Sequence, residues 1–170
     1  MCSSDLRLIH TPPRKIYCSD LARSRESAEV LAGKMGLHPV ICPQLREVDM
    51  GLWEGLSYEE INLLHPEEAA RWASGSLTFR FPQGEGLRSL KARVLLTCQK
   101  LVKQNPDTTF AIVGHTGPNR IILCQALGIS LRNLLRLGQD YGGLSVIEYH
   151  GDYSRVSLLN FREEFSGELD

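Results

Sequence analysis

Apolar residues in this chain come in two kinds of run that alternate. Short and nearly continuous ones, Lys15–Cys18, His38–Cys42 and Phe110–Val113, read as buried strands bounded by Gly, Pro, Ser or Asp. Between them, apolar positions recur at helical spacing. Ala22, Ala28, Val30 and Leu31 run toward Gly36 behind Ser19 or Asp20 as a cap. Ser57-Tyr-Glu-Glu60 is a capping box that opens a short helix to about Leu64, and Pro66 opens another containing Ala69, Ala70 and Trp72. A long amphipathic helix follows the Gly75–Gly86 loop, with Leu87, Leu90, Val94, Leu95, Leu101 and Val102 as its core face and Pro106-Asp107 as its end. After Phe110–Val113, Gly114 closes the strand and Gly117-Pro118 turns the chain. A helix from Asn119 then carries Ile122, Leu123, Ala126 and Leu127, and Gly128 stops it. A short helix over Leu131–Leu137 precedes Ser145–Tyr149 and Arg155–Leu159, which predict a β-hairpin around Gly151-Asp152. Strands alternating with helices predict a three-layer α/β/α sandwich on a mostly parallel sheet. Ligands of such folds bind at the carboxyl ends of the strands, where Ser19, Glu47 and His115 fall.

Composition narrows the class. With 170 residues and 42% apolar content the chain has material for one domain with a substantial core. A net charge of −1 without a basic cluster argues against a nucleic-acid partner. No apolar run is long enough for a membrane span, and none resembles a signal peptide. The five cysteines are scattered, with no CxxC pair or metal-type spacing, which fits free thiols in a reducing cytoplasm. Neither a metal nor a cofactor is expected. Met1–Leu6 has no helical or strand period and resembles a translated sequencing adapter. The chain is therefore read as a non-native leader, 1–6, and a single domain over 7–170.

Two stretches stand out chemically. His115 lies on a strand-to-helix turn, where backbone N–H groups and the positive helix end converge on any bound anion. The loop from Leu45 to Leu56 combines two glycines, four charged residues and Trp53, an unusual mixture for a passive connection. Arg23 and Arg25 sit two apart in the first turns of a helix, so they point to different sides.

Four motifs then occur in order. Ile16-Tyr-Cys-Ser-Asp-Leu-Ala-Arg-Ser-Arg-Glu-Ser-Ala-Glu29 resembles the I-Y-S-S-D-L-x-R-A-x-x-T-A-E signature of the histidine phosphatase superfamily, which includes the cofactor-dependent phosphoglycerate mutases. Leu45-Arg-Glu-Val-Asp-Met-Gly-Leu-Trp-Glu-Gly55 resembles its L-x-E-x-x-x-G-x-W-E-G loop, and Ile112-Val-Gly-His-Thr-Gly-Pro-Asn-Arg120 its second-histidine motif, V-x-H-G-G-x-x-R. Pro82-Gln-Gly-Glu-Gly86 is a weaker likeness to P-G-G-E-S. The resemblance implies a phosphoglycerate mutase-like fold and a role for each matching residue. Arg23 would bind phosphate, His115 would hydrogen-bond the transferring phosphoryl group, and Glu47 would protonate the leaving alkoxide. Thr116, where the family has glycine, would bring its amide near the phosphate. Such a set suits the chemistry, because a phosphoryl group in transfer spreads negative charge over its oxygens and catalysis is largely positioning and electrostatics. Glu54 and Glu85 are read as structural or peripheral, Arg25 as solvated, Arg120 as a brace and Cys18 as a packed thiol.

One part of the family pattern is missing. The family opens on a central strand ending in Arg-His-Gly, whose histidine takes the phosphoryl group, and no Arg-His-Gly occurs in these 170 residues. His10 is followed by Thr-Pro-Pro and lacks the neighbouring arginine, so it is rejected as a substitute. The fold is therefore expected to lack its first, central strand and first helix, leaving two neighbouring strands with unpaired edges. The resemblance implies phosphomonoester hydrolysis through a phosphohistidine in a full-length parent, with α-ribazole phosphate of cobalamin biosynthesis as the substrate suggested. The chain as it stands is expected to be inactive. Phosphoglycerate mutase-like transfer and a non-catalytic phospho-ligand-binding module are the alternatives.

Overall fold

The computed structural model describes residues 11–162, so the leader segment and His10 lie outside the described residues. Strand β1 (Lys15–Cys18) runs parallel to β2 (Pro39–Ile41) on one side and to β3 (Phe110–Val113) on the other. Side chains on a strand alternate between faces, and β1 shows how that builds layers. Ile16 and Cys18 turn to one face and pack with Ala28, Leu31 and Ala32 of α1 (Ala22–Gly33), joined by Val113. Tyr17 turns to the other face and meets Leu45 and Leu101. Leu101 belongs to α4 (Leu87–Gln104), the long helix predicted from its apolar stripe. Four of the six predicted core positions there are fully buried, Leu87, Leu90, Val94 and Leu101, and Cys98 joins them on the same face.

The two short helices begin as their sequences dictate. In α2 (Tyr58–Leu64) the Ser57 hydroxyl accepts the Glu60 N–H and the Glu60 carboxylate accepts the Ser57 N–H, completing the capping box. Pro66 occupies the first position of α3 (Pro66–Ala73). Helix α5 (Thr116–Ala126) begins three residues earlier than predicted, because Pro118 fits within the first turn and does not have to precede it. Its buried face is Ile121–Cys124, while the predicted core residue Leu127 lies outside the helix and is exposed. Val30 is likewise exposed, although it fits the apolar count of α1. The helix predicted over Leu131–Leu137 is a 3-10 segment over Leu131–Arg136.

The last two strands, β4 (Leu144–His150) and β5 (Tyr153–Phe161), form the predicted antiparallel hairpin. They do not join the parallel strands. The described residues form one three-stranded sheet in the order β2-β1-β3 and a separate two-stranded sheet. Among the described residues β3 pairs only with β1, and β4 only with β5, so each keeps an edge that no described strand pairs. Ile112 of β3 and Ile147 of β4 nevertheless pack against the same hydrophobic cluster, so both edges border one core.

Candidate active site

The carboxyl ends of β1 and β3 meet the Glu47 loop, and each brings a residue predicted from sequence. His115 follows β3 in extended conformation and serves as the N-cap residue of α5. Its ring is buried, and Nε2 lies 2.7 Å from the hydroxyl of Ser19 at the end of β1. Ser19 and Asp20 were both candidates to cap α1, but the N-cap residue is Leu21 and neither performs that role. The Ser19 hydroxyl points into the site and accepts the Leu21 N–H at 3.2 Å. Asp20 accepts instead from Arg46, which holds its carboxyl below the usual range.

Glu47 reaches across to the start of α5. The Gly117 N–H donates to both of its carboxylate oxygens at 3.1 Å, and the Val48 N–H donates to Oε1 at 2.8 Å. A Cβ at Gly117 would stand 2.4 Å from Oε1, so glycine there is what lets the carboxylate seat on the helix end. Thr116, the first residue of α5, is exposed beside it. Arg23 is exposed in the first turn of α1, and its charge reaches the histidine. Burial first, then the positive charges of Arg23 and Arg93, push the His115 imidazole down to about 4. His115 is thus neutral near pH 7 and enters the site as a hydrogen-bonding group, not a cation.

Arg93, on α4, escaped the sequence reading. Its guanidinium makes five hydrogen bonds, two to the Glu85 carboxylate at 2.8 and 2.7 Å and three to main-chain carbonyls of Gln44, Arg46 and Glu47. The five N–H donors of an arginine are all used. Glu85 is structural, as predicted, and its task is to hold this clamp against the Glu47 loop. The available signal was position, since Arg93 lies three residues after the core residue Leu90, at the border of the apolar stripe. Trp53, whose presence helped mark the loop, serves it structurally. It is 2% exposed and packs against Phe79 and Phe81, so it anchors the loop from beneath and does not line the site. Glu54 accepts the Met50 N–H, and Arg120 donates to the Leu137 carbonyl at 2.7 Å; both are structural, as predicted.

The assembled groups are a neutral imidazole, a carboxylate, a helix N-terminus and a nearby arginine, a combination that receives an oxyanion and can exchange a proton with it. The sequence profile of the histidine phosphatase superfamily (branch 1) matches residues 5–162. The chain belongs to that superfamily. Phosphoserine phosphatase 1 of Hydrogenobacter thermophilus is 32% identical over 145 residues, covering 85% of this chain and 69% of that protein. The adenosylcobalamin/alpha-ribazole phosphatase of Salmonella typhimurium is 24% identical over 155 residues, covering 91% and 77%. Among solved structures, the alpha-ribazole phosphatase from Shigella flexneri superposes with a TM-score of 0.75 at 22% identity, covering 86% of this chain and 73% of that one. The fold is the phosphoglycerate mutase-like fold of histidine phosphatases, with a parallel sheet flanked by helices. No described helix is long and apolar enough to cross a membrane.

Proposed function

We propose that this pocket serves phosphomonoester hydrolysis, and that the 170-residue chain supplies the phosphate-holding and proton-donating half of it. The observation that carries the reading is the convergence of His115, Glu47 and the first amides of α5, with the Arg23 charge close to the imidazole. Arg23 and the α5 amides take the equatorial oxygens, where charge spreads during transfer. Glu47 protonates the leaving alkoxide, and Thr116 offers its amide at the rim. The nucleophile comes from outside the described residues. An Arg-His-Gly strand of a longer parent, paired between the free edges of β3 and β4, would bring its histidine beside His115. Without that strand no phosphohistidine forms, so the chain alone binds phosphate and does not turn over.

The names of the relatives give two substrate readings, an O-phosphorylated amino acid and α-ribazole phosphate. The binding-module reading shares the same pocket and differs from it only in needing no nucleophile.

The test is a comparison of the 170-residue chain with a parent that carries the motif. The parent should hydrolyse p-nitrophenyl phosphate, and Glu47→Gln in it should lower kcat by about 10²–10⁴-fold. The shorter chain should bind inorganic phosphate in a calorimeter without turnover. Hydrolysis by the shorter chain that disappears in His115→Ala would overturn the division of labour. A shorter chain that fails to bind phosphate would overturn the pocket itself.

A further inference from the structure

Two serines, Ser19 and Ser24, stand behind His115. Ser24, buried in α1, donates its only hydroxyl hydrogen to the Val113 carbonyl at 2.7 Å. It must therefore act as acceptor toward the Ser19 N–H, 3.1 Å away. This serine ties the ends of β1 and β3 together where the family signature quoted above has alanine, and it fixes the backbone of Ser19. The Ser19 side chain, 0% exposed, accepts the Leu21 N–H at 3.2 Å. Its own O–H then needs an acceptor, and water cannot supply one at that burial. Its remaining hydrogen-bond partner is Nε2 of His115 at 2.7 Å.

We propose that Ser19 is a positioning residue that holds His115 as the tautomer with its proton on Nδ1. If Nε2 carried the proton and donated to Ser19, the buried Ser19 O–H would be left without an acceptor, a cost avoided in the other tautomer. Trp53 Nε1 is the one enclosed side-chain atom without a partner among the described residues. Nδ1 of His115 has no hydrogen-bond partner among the described residues either, and it is not enclosed as Trp53 Nε1 is. The Ser19 bond thus turns Nδ1–H into the donor that His115 presents outward. The proton placement stands on the hydrogen-bond network, while its use on a phosphoryl oxygen rests on the phosphatase reading above.

The test needs no turnover. A long-range ¹H–¹⁵N correlation spectrum of the ¹⁵N-labelled 170-residue chain at neutral pH distinguishes a protonated ring nitrogen from a bare one, with His115→Gln assigning the signals. The expected result is a protonated Nδ1 and a bare Nε2. Ser19→Ala should shift the ring toward the Nε2–H form, and Ser19→Thr, which keeps the hydroxyl, should restore the original pattern. A spectrum of the unsubstituted 170-residue chain with the proton on Nε2 overturns the proposal even if both variants fail to fold. So does a Ser19→Ala variant that folds and leaves the tautomer unchanged. Inorganic phosphate added to the same sample tests the other reading separately. A protonated Nδ1 that phosphate leaves undisturbed upholds the role of Ser19 and counts against the phosphate pocket.

Discussion

The Glu47 loop and the β3–β4 border flank the same core and are held in opposite ways. The loop is fastened from two directions. Arg93 grips two of its carbonyls, and that of Gln44 just before it, from α4, and Trp53 plugs it into an aromatic cluster with Phe79, Phe81 and Trp72. At its far end Gly51 passes so close to the Pro82 carbonyl that a Cβ would stand 2.1 Å from it, and its φ of 56° already favours glycine. The β3–β4 border has no such fastening. Two strands stop with unpaired edges, and Phe110, Ala111 and Ile112 of β3 remain only half-buried although they are apolar. One wall of the pocket is thus preorganised by contacts within the chain, while the other ends in backbone groups with no strand beside them among the described residues.

The same truncation on the two sides measures the contrast. Trp53→Ala should cost about 4 kcal/mol, as expected for removing a fully buried indole. Phe110→Ala, which loses a half-buried ring in edge contact with Tyr17, should cost about 2 kcal/mol. Urea titrations of both variants check this, and equal costs would abolish the distinction between the walls.

An effect between those two in size comes from pH. His115 binds its proton at about 4 when folded and at 6.5 when free, so between those values the unfolded chain holds a proton that the folded chain refuses. Stability should therefore fall as pH drops through that window, by up to about 3 kcal/mol, with no penalty near pH 7. His115→Gln should flatten that portion of the profile in denaturation series from pH 7 to 4.

The smallest expected change sharpens the picture of the fastened wall. In Gly117→Ala the new methyl crowds the far end of the Glu47 side chain and makes ordinary contact with Leu90, so stability should shift by less than about 1 kcal/mol. Expulsion of that carboxylate from the start of α5 should still alter inorganic phosphate binding measured by calorimetry. Unchanged binding would mean that Glu47 and the anion do not share the helix end.

The elements that sequence reading located well are those governed by local chemistry. The capping box at Ser57, the Pro66 start, the long stripe of α4 and the terminal hairpin each carry their cause within a few residues. The reading failed where distant residues decide. Ser19 is a plausible cap by local rules, yet its hydroxyl is claimed by His115, 96 positions away. Val30 fits the apolar count of α1, but no described element covers it. The structural role of Trp53 was hidden because its partners Phe79 and Phe81 lie in another loop. Glu47 and His115 could be named from their motifs, whereas the Arg93 clamp could not, since three of its acceptors are main-chain carbonyls that every residue type offers alike.

The span between Ser19 and His115 also bears on when the pocket comes into being. Contacts across 96 and 70 residues, Ser19 to His115 and Glu47 to Gly117, close long loops, and such closures slow folding relative to local structure. On the ribosome, α1 and the Ser57 turn can form while β3 is still unsynthesised, but the imidazole cannot meet its serine until α5 has emerged. The nascent chain thus passes through an interval in which the β1 edge awaiting β3 is open and no pocket exists. Proteases and chaperones would act on it then, before any phosphate could steady it.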